Sequence, residues 1–291
     1  YIEFAKSTFP KHHSLKGLKI ALDSGNGAGY RVAPLIFREL DAEVFEYGNR
    51  PDGLNINKGC GALHPEYVQS KVLEHQADVG IALDGDADRV VLVDEKGRII
   101  DGDMMVAICA REMKKRGILK HNTVVSTVMC NMGFLKAMRR EGIEVVQSQV
   151  GDRYVIQDMI KKGINLGGEQ SGHVIFSDWN TTGDGLVTAL QVLGIMVTTG
   201  TTLSQLANVM EKFPQTIVNV KVKEKLPIHS LPKVAHVIKE VEKLLGDSGR
   251  IFVRYSGTEK ICRVMVEGED DNKIIEYANR VAETLKTEIG E

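Results

Sequence analysis

The chain has 291 residues, of which 43% are apolar and 5% aromatic, so it can bury mostly aliphatic cores in two or three domains. Its net charge of -2 gives no reason to expect a nucleic acid or an acidic membrane as partner, so any anion site must be local. No apolar run is long enough to span a bilayer, and no signal peptide opens the sequence. The cysteines form no CxxC pair, which argues against zinc and redox motifs and favours a reduced, cytoplasmic setting. They are Cys60, Cys109, Cys130 and Cys262.

Strand and helix patterns alternate from the start of the chain, after a polar linker or connecting helix at residues 1–16. The first predicted strand, residues 18–22, leads into a glycine-rich turn at 23–29. This turn suits an anion at the start of the following helix. It lacks the GxGxxG pattern of a dinucleotide site. The other elements of this region are strands at 43–47, 79–83 and 90–93, and helices at 32–40 and 65–75.

The alternation restarts at Asp103 and predicts a second α/β layer domain. Its predicted helices are 104–115, 132–140, 155–162, 186–197 and 203–210, and its strands are 123–128, 144–147 and 174–176. Phe213-Pro214 marks a boundary, after which a compact α+β unit follows. Its elements are a strand at 216–222, a helix at 231–245, strands at 250–255 and 262–267, and a helix at 273–287. We therefore expect domains at 1–98, 99–212 and 213–291.

Three aspartates follow the apolar strand at 79–83. Asp84, Asp86 and Asp88 occupy alternate positions, and alternate side chains of an extended backbone point the same way. Three converging carboxylates repel one another near a low-dielectric core, and a hard divalent cation such as Mg²⁺ relieves that repulsion. The alternative is a solvated acidic turn. A calcium EF-hand does not fit, because its sixth position requires Gly and Arg89 stands there.

A second charged segment, residues 254–263, combines a strand end, a polar turn and two arginines. Backbone amide, hydroxyl and guanidinium donors together suit a phosphate group. The candidate residues are Arg254, Ser256, Gly257, Thr258 and Arg263. The alternative is an ordinary hairpin turn with two surface arginines.

A third segment, residues 168–173, suits a sugar. Two glycines bracket Glu169 and Ser171, whose carboxylate and hydroxyl can bind sugar hydroxyl groups. His173 at its end fits either a buried ring with satisfied hydrogen bonds or a role at the site.

The segment 151–153 offers further polar groups. Asp152 could accept a proton and Arg153 could contact a phosphate or a sugar, and a helix cap is an equally good role for Asp152. His64 could act as a base, but Pro65 opens a helix, which favours a loop role for this histidine.

Taken together, these segments resemble the α-D-phosphohexomutase superfamily over nearly the whole chain. Asp84-Gly-Asp-Ala-Asp-Arg89 is similar to its metal loop, Gly168-Glu-Gln-Ser-Gly-His173 to its sugar-recognition loop, and Arg254-Tyr-Ser-Gly-Thr-Glu259 to its phosphate loop. Gly-Asp-Arg-Tyr-Val at 151–155, Gln170 and Leu-His-Pro-Glu at 63–66 resemble the branch that acts on glucosamine phosphates. The resemblance implies an α/β fold with two consecutive mixed-sheet phosphohexomutase-type domains, followed by a C-terminal α+β domain like that of the TATA-box-binding protein.

The resemblance implies an isomerase that interconverts glucosamine 6-phosphate and glucosamine 1-phosphate, in cell-wall precursor synthesis. A phosphoserine gives its phosphoryl group to the sugar. The bisphosphorylated sugar that forms then returns its other phosphoryl group to the serine. The partner is thus a small sugar phosphate, and the implied cofactor is Mg²⁺ on Asp84, Asp86 and Asp88. Arg89 and Asp152 are the predicted catalytic residues. The predicted substrate-binding residues are Arg153, Glu169, Ser171, His173, Arg254, Ser256, Gly257, Thr258 and Arg263.

The sequence departs from the family in two places. The catalytic serine of the family lies in a Thr-Ala-Ser-His-Asn-Pro-like segment of an N-terminal domain, and nothing in this sequence matches it. With Tyr1 as first residue, we expect that domain to be missing and the fragment alone to be inactive. In the phosphate loop, Tyr255 and Lys260 stand where prolines are common.

Three alternatives to this function stay open. The enzyme could be a phosphomannomutase or phosphoglucomutase of the same superfamily. It could instead be a phosphatase with an aspartate nucleophile at Asp84-Gly-Asp86, or a non-catalytic module that binds sugar phosphates. The resemblance also allows a homodimer of the full-length protein, with contacts that in the family usually involve the first domain.

Overall fold

Two mixed sheets and one antiparallel sheet carry the fold of the described residues, 1–257 and 259–291, in this computed structural model. Both mixed sheets belong to unit 1, which comprises Tyr1–Cys130 and Phe134–Glu211. Unit 2 comprises Asn131–Gly133 and Lys212–Glu291 and contains the antiparallel sheet. The α/β fold with a C-terminal α+β part is confirmed, and the three-domain division stays a prediction.

The first sheet has five strands in the order β2-β1-β3-β4-β5. The strands are β1 (Lys19–Asp23), β2 (Glu43–Tyr47), β3 (Val79–Leu83), β4 (Val90–Asp94) and β5 (Ile99–Ile100). β1 runs parallel to β2 and β3, while β4 runs antiparallel to both β3 and β5. Every residue of β3 and β4 is buried, as expected for central strands covered on both faces.

The second sheet repeats this arrangement with four strands in the order β7-β6-β8-β9. The strands are β6 (Thr123–Thr127), β7 (Glu144–Ser148), β8 (Leu166–Gly168) and β9 (Val174–Phe176). β6 is parallel to β7 and β8, and β8 turns back into the antiparallel β9. The restart predicted at Asp103 is therefore a second sheet with the strand order and directions of β2-β1-β3-β4.

The helices of unit 1 cover these sheets, most of them through one large apolar core, while α3 and α6 pack over two smaller apolar clusters. They are α1 (Ile2–Ser7), α2 (Val32–Glu39), α3 (Pro65–His75), α4 (Gly102–Lys115), α5 (Met132–Arg140, whose first residues belong to unit 2), α6 (Asp152–Lys162), α7 (Gly185–Thr199) and α8 (Leu203–Leu206). α7 is buried along most of its length and packs against α4, β4 and β9, which explains its almost entirely apolar sequence.

No single helix among residues 1–257 and 259–291 is long and apolar enough to cross a bilayer. α7 and the segment Leu203–Val209 meet the length and composition criteria only as a pair, and a bend of 97° separates them. Both segments lie largely in the core of unit 1.

Unit 2 is a three-stranded antiparallel sheet in the order β10-β12-β11, with two helices packed against it. Its elements are β10 (Gln215–Lys221), α9 (Pro232–Leu245), β11 (Gly249–Tyr255), β12 (Ile261–Gly268) and α10 (Asp271–Ile289). Aliphatic residues from all five elements form a separate apolar core.

Several predicted boundaries in unit 1 differ from the structure, most of them by one or two residues. The helix predicted from residue 155 begins at Asp152, and the helix predicted from residue 104 begins at Gly102. The Asp101 side chain accepts a hydrogen bond from the Met104 N–H and so caps α4 earlier than its apolar pattern suggests. The sequence predicts no strand between 147 and 174, but the structure has β8 there, because the glycines of β8 hide the alternation that marks a strand.

Candidate functional site

The three aspartates lie in a tight turn between β3 and β4, which we call the metal hairpin (residues 84–89). Asp84 closes the turn, because its backbone N–H donates to the Arg89 carbonyl at 3.3 Å while the Arg89 N–H donates to Asp84 Oδ1 at 3.1 Å. One carboxylate oxygen from each of Asp84, Asp86 and Asp88 lies within 4.8 Å of the others. The structure therefore brings the three predicted metal ligands together at the carboxyl end of β3.

The electrostatics of the hairpin are those of a cation site. Burial, with the charges of Asp88 and Asp86, raises the pKa of Asp84 to about 6, although the Arg89 N–H hydrogen bond opposes the rise. Asp88 Oδ1 is buried and has no hydrogen-bond partner among residues 1–257 and 259–291. The Arg89 Nε lies 3.9 Å from Asp84 and 3.7 Å from Asp88, too far for a good hydrogen bond to either.

His173 holds the other side of Asp88. Its Nε2 accepts a hydrogen bond from the Gly183 N–H at 3.0 Å, so this nitrogen carries no proton. The proton of the neutral ring is then on Nδ1, which lies 3.1 Å from Asp88 Oδ2 and donates to it. With 2% of its side chain exposed, His173 fits the interpretation of a buried ring whose two nitrogens are satisfied, one of them by a predicted metal ligand.

The predicted sugar-recognition segment forms the corresponding turn between β8 and β9, which we call the sugar hairpin (residues 169–173). It is fastened to the metal hairpin, since the Val90 N–H donates to the Gly172 carbonyl at 3.2 Å. Gly172 has φ +94°, and a Cβ added there would lie 2.1 Å from the Val90 carbonyl oxygen. Only glycine allows this approach of the two backbones.

The polar groups of the sugar hairpin meet the start of α6. Glu169 Oε1 accepts a hydrogen bond from the Gly151 N–H at 3.0 Å, while Ser171 is exposed. Asp152 and Arg153 are also exposed, on the first turn of α6. The helix-cap role considered for Asp152 is wrong, because Gly151 is the capping residue and the Asp152 carboxylate accepts from the Arg153 N–H at 2.7 Å.

Sequence reasoning missed a buried carboxylate behind the metal hairpin. Asp23 ends β1 and accepts hydrogen bonds from the N–H groups of Gly25 at 2.9 Å and Gly61 at 2.6 Å. Burial raises its pKa, against the effect of these two hydrogen bonds. Asp23 thereby shapes the glycine loop (residues 23–29), whose Ala28 N–H donates to the Gly85 carbonyl at 2.8 Å. The position of Asp23 directly after an apolar strand was the available signal.

In unit 2, the predicted phosphate segment is the turn between β11 and β12. Arg254 and Arg263 are directly opposed across the two strands. Like charges in this position repel, and an anion between them would relieve the repulsion. Arg263 Nε is buried without a hydrogen-bond partner among the described residues, and its guanidinium lies 3.8 Å from the Glu259 carboxylate. Thr258 lies outside the described residues.

A lysine that the sequence did not single out braces this turn. Lys225 Nζ donates to the carbonyls of Ser256 at 2.7 Å and Gly257 at 3.2 Å. Tyr255, at a position where the family often has proline, donates its hydroxyl to the Leu226 carbonyl at 2.6 Å. These three bonds tie the turn to the segment after β10, and the tyrosine anchors the strand end by its own hydrogen bond.

The donor set of the metal hairpin fits a hard divalent cation. It has carboxylate oxygens only, and one of them, Asp88 Oδ1, is buried and unpartnered. The acidic cluster of Asp84, Asp86 and Asp88 could thus bind a metal ion, whose charge would offset the burial that raises the Asp84 pKa.

Three models of one protein family match successive parts of the chain. The model for Phosphoglucomutase/phosphomannomutase, alpha/beta/alpha domain II, matches residues 1–97. The model for alpha/beta/alpha domain III of that family matches residues 101–213, and the model for its C-terminal domain matches residues 217–284.

Similar proteins agree with this match. A phosphoglucosamine mutase of Protochlamydia amoebophila (strain UWE25) is 61% identical over 290 residues, which are 100% of this chain and 64% of that protein. A Phosphoglucomutase/phosphomannomutase family protein from Burkholderia thailandensis superposes with a TM-score of 0.80 at 24% identity, over 99% of this chain and 63% of that one. The chain therefore spans a little under two thirds of the length of these proteins.

A third relative was solved with ligands. The N-acetylphosphoglucosamine mutase of Aspergillus fumigatus, in complex with GlcNAc-6P and magnesium, superposes with a TM-score of 0.77 at 21% identity. The match covers 98% of this chain and 68% of that one. At this identity the likeness is one of fold.

Proposed function

Because this chain belongs to the phosphoglucomutase/phosphomannomutase family, we propose that it is the metal-, sugar- and phosphate-binding part of a phosphoglucosamine mutase. Such an enzyme interconverts glucosamine 6-phosphate and glucosamine 1-phosphate. The observation that carries the proposal is the cluster of Asp84, Asp86 and Asp88, in a chain 61% identical to a phosphoglucosamine mutase.

In this proposal the metal hairpin holds Mg²⁺ through its three aspartates. Bound there, the ion supplies positive charge against the phosphoryl group that is transferred. Arg89 adds a second positive charge, since its guanidinium lies next to Asp84 and Asp88 without a good hydrogen bond to either. His173 keeps Asp88 oriented, and its neutral ring adds no charge that would compete with the ion.

Sugar recognition falls to the sugar hairpin and the start of α6. We assign the sugar hydroxyls to Glu169 and the exposed Ser171, and a sugar or phosphate contact to the exposed Arg153. Asp152 is proposed as a proton acceptor, which its exposure on the first turn of α6 permits. Because Glu169 Oε1 bonds to the Gly151 N–H, the two loops would respond to a sugar together.

The turn between β11 and β12 is proposed to bind a phosphate group. Arg254 and Arg263 supply opposed guanidinium groups, and Ser256 and Gly257 supply the turn backbone that Lys225 braces. Fork-shaped guanidinium donors match the oxygens of phosphate. Thr258, also proposed as a phosphate ligand, lies outside the described residues.

The phosphorylated serine of the reaction is proposed to lie outside these 291 residues, since no segment of the sequence matches the family's serine motif.

A chimera tests the whole proposal. The part of the Protochlamydia amoebophila relative that precedes the matched region would be fused to this chain. It would then be assayed with Mg²⁺ on the 6-phosphates of glucosamine, glucose and mannose.

We expect the chimera to turn over glucosamine 6-phosphate in preference to the other two sugars, and the 291-residue chain alone to be inactive. A preference for glucose or mannose 6-phosphate would indicate a phosphoglucomutase or a phosphomannomutase instead. A chimera that binds sugar phosphate without turnover would indicate a binding module. Activity of the chain alone would show that the nucleophile lies within it.

A further inference from the structure

We propose that Ile56 and Asn57 are positioning residues of the metal hairpin. They belong to the segment 49–62 between β2 and α3, which we call the brace loop. The proposal rests on the metal site proposed above and adds to it the residues that hold its backbone. Neither residue carries a charge or lies in the hairpin itself.

Ile56 contacts the hairpin at Gly85, the residue between Asp84 and Asp86. A Cβ added to Gly85 would lie 2.7 Å from Ile56 Cδ1 and 3.0 Å from its Cγ1. The isoleucine side chain therefore rests directly on the hairpin backbone, although 53% of the residue is exposed. An isoleucine exposed to this extent adds little to the core, and its contact with Gly85 gives it a role at the hairpin.

Asn57 occupies the space behind the same glycine. Its N–H donates to the Gly25 carbonyl at 2.8 Å, which joins the brace loop to the glycine loop. Its side-chain amide lies among three glycines: a Cβ on Gly25 or Gly61 would be 3.0 Å from Oδ1, and a Cβ on Gly85 would be 3.1 Å from Nδ2. The amide thus fills the gap between two loops and the metal hairpin.

Hydrogen bonds of its own side chains and one to the glycine loop hold the brace loop in place. Asn55 Oδ1 accepts from the Asp52 N–H at 3.0 Å, and Asn55 Nδ2 donates to the Arg50 carbonyl at 2.9 Å. The Arg50 N–H in turn donates to Asn26 Oδ1 of the glycine loop at 3.0 Å. A long connection that is held by its own side chains is typical of a functional loop.

The consequence concerns the spacing of the carboxylates. Asp84 and Asp86 flank Gly85, so a shift of the Gly85 backbone moves both of them relative to Asp88. Ligands must be held within a fraction of an ångström to bind an ion well, and residues behind the ligands provide that precision. Removing the brace should therefore weaken ion binding while the fold survives.

A double-mutant cycle on Gly85 and Ile56 tests this, with Mg²⁺ titrated into the 291-residue chain by calorimetry. Gly85→Ala places a methyl group against Ile56 and should lower Mg²⁺ affinity about 10- to 100-fold, the range for residues behind metal ligands. Ile56→Ala should lower it by a smaller factor, because it releases the turn without a collision. In Gly85→Ala/Ile56→Ala the two closest contacts of the added methyl group are gone and only Asn57 Nδ2, at 3.1 Å, remains, so the affinity should recover most of the way to that of Ile56→Ala.

Leu54→Ala is the matched control, because Leu54 lies in the same loop and is 91% exposed. It should leave Mg²⁺ affinity unchanged. Thermal unfolding of each variant separates lost positioning from lost folding. If Gly85→Ala does not fold, the comparison of Ile56→Ala with Leu54→Ala still decides the matter.

Two outcomes would overturn the inference: a Gly85→Ala effect that is the same with and without Ile56, or an Ile56→Ala variant that binds Mg²⁺ like Leu54→Ala. Failure of the metal site itself is a different result. It would appear as a wild-type chain that binds no Mg²⁺, or that binds it equally well after Asp86→Ala.

Discussion

The metal hairpin and the sugar hairpin are equivalent turns in two sheets of the same design. Each follows the third strand of its sheet, β3 or β8, and leads into an antiparallel neighbour, β4 or β9. Both turns contain a glycine that lies against other backbone or side chains, Gly85 in one and Gly172 in the other. The two turns therefore share their position in the sheet, and they differ in the side chains that they carry.

The difference lies in what surrounds each turn. The metal hairpin concentrates three carboxylates and is backed by the glycine loop and the brace loop. The sugar hairpin carries one carboxylate, and its exposed Ser171 is open to solvent. Repelling charges need fixed surroundings to stay together, whereas neutral hydrogen-bonding groups can stay adaptable. The bond from His173 to Asp88 and the contact of Gly172 with Val90 join the two turns.

The largest expected effect is on ion binding by the metal hairpin. Asp86→Ala should reduce Mg²⁺ affinity below detection in calorimetry, because it removes one of three charged ligands. Asp86 is exposed, so the unfolding temperature should stay close to that of the wild type. Glu144→Ala, which removes an exposed carboxylate from β7 of the same unit, serves as control and should bind normally. Retained Mg²⁺ binding in Asp86→Ala would place the metal elsewhere.

The contact between the two hairpins comes next. Gly172→Ala should lower the free energy of unfolding by about 3 kcal/mol, because its Cβ collides with the Val90 carbonyl oxygen. Gly200→Ala is a control for backbone strain alone, since Gly200 has φ +64° but open space around it. It should cost about 1 kcal/mol. If chemical denaturation shows the same loss of unfolding free energy for both variants, the close contact of Gly172 with Val90 does not stabilise the hairpins.

The His173 bond to Asp88 should matter for affinity more than for folding. His173→Ala should weaken Mg²⁺ binding about 10- to 100-fold, since residues that orient metal ligands have effects of this size. His173→Asn keeps an N–H where Nδ1 donates and should recover part of the loss. The control is His64→Ala, which removes an exposed histidine paired with Glu66 at 3.2 Å. If Asn is as poor as Ala at equal stability, His173 does not act through Asp88.

The smallest effect is the pH dependence of stability without metal. The Asp84 pKa, about 6, lies above its ordinary value of 3.8, so ionising this group destabilises the folded state. At pH 7.5 the free energy of unfolding of Asp84→Asn, from denaturant titration, should therefore exceed that of the wild type by about 1 kcal/mol after solvent screening. This difference in the free energy of unfolding should shrink as the pH falls through 6 and vanish below 4, where Asp84 is protonated in both the folded and the unfolded state. A difference that grows on acidification would contradict this sign.

Local patterns were sufficient for much of the site. Three aspartates at alternate positions after an apolar strand predict a carboxylate cluster, and the structure brings the three carboxylates together. The predicted cause is wrong, because a turn with Ala87 at φ +62°, and not an extended backbone, brings them together. The alternation of strands and helices predicts the α/β fold and the restart of the second sheet. The start of α6 could not be placed, because the exposed Asp152 and Arg153 give no apolar period to mark the first turn.

What the sequence determined by itself is therefore the chemistry of the turns: carboxylates after β3, hydroxyl and carboxylate groups after β8, arginines around the turn of unit 2. Only the tertiary structure decided which groups meet. The hydrogen bond of His173 to Asp88 joins residues 85 positions apart, and Ile56 reaches Gly85 from another loop. Short-range periodicity reports the face on which a side chain lies. The partner on that face is set by the packing of two sheets through one core, which no local pattern encodes.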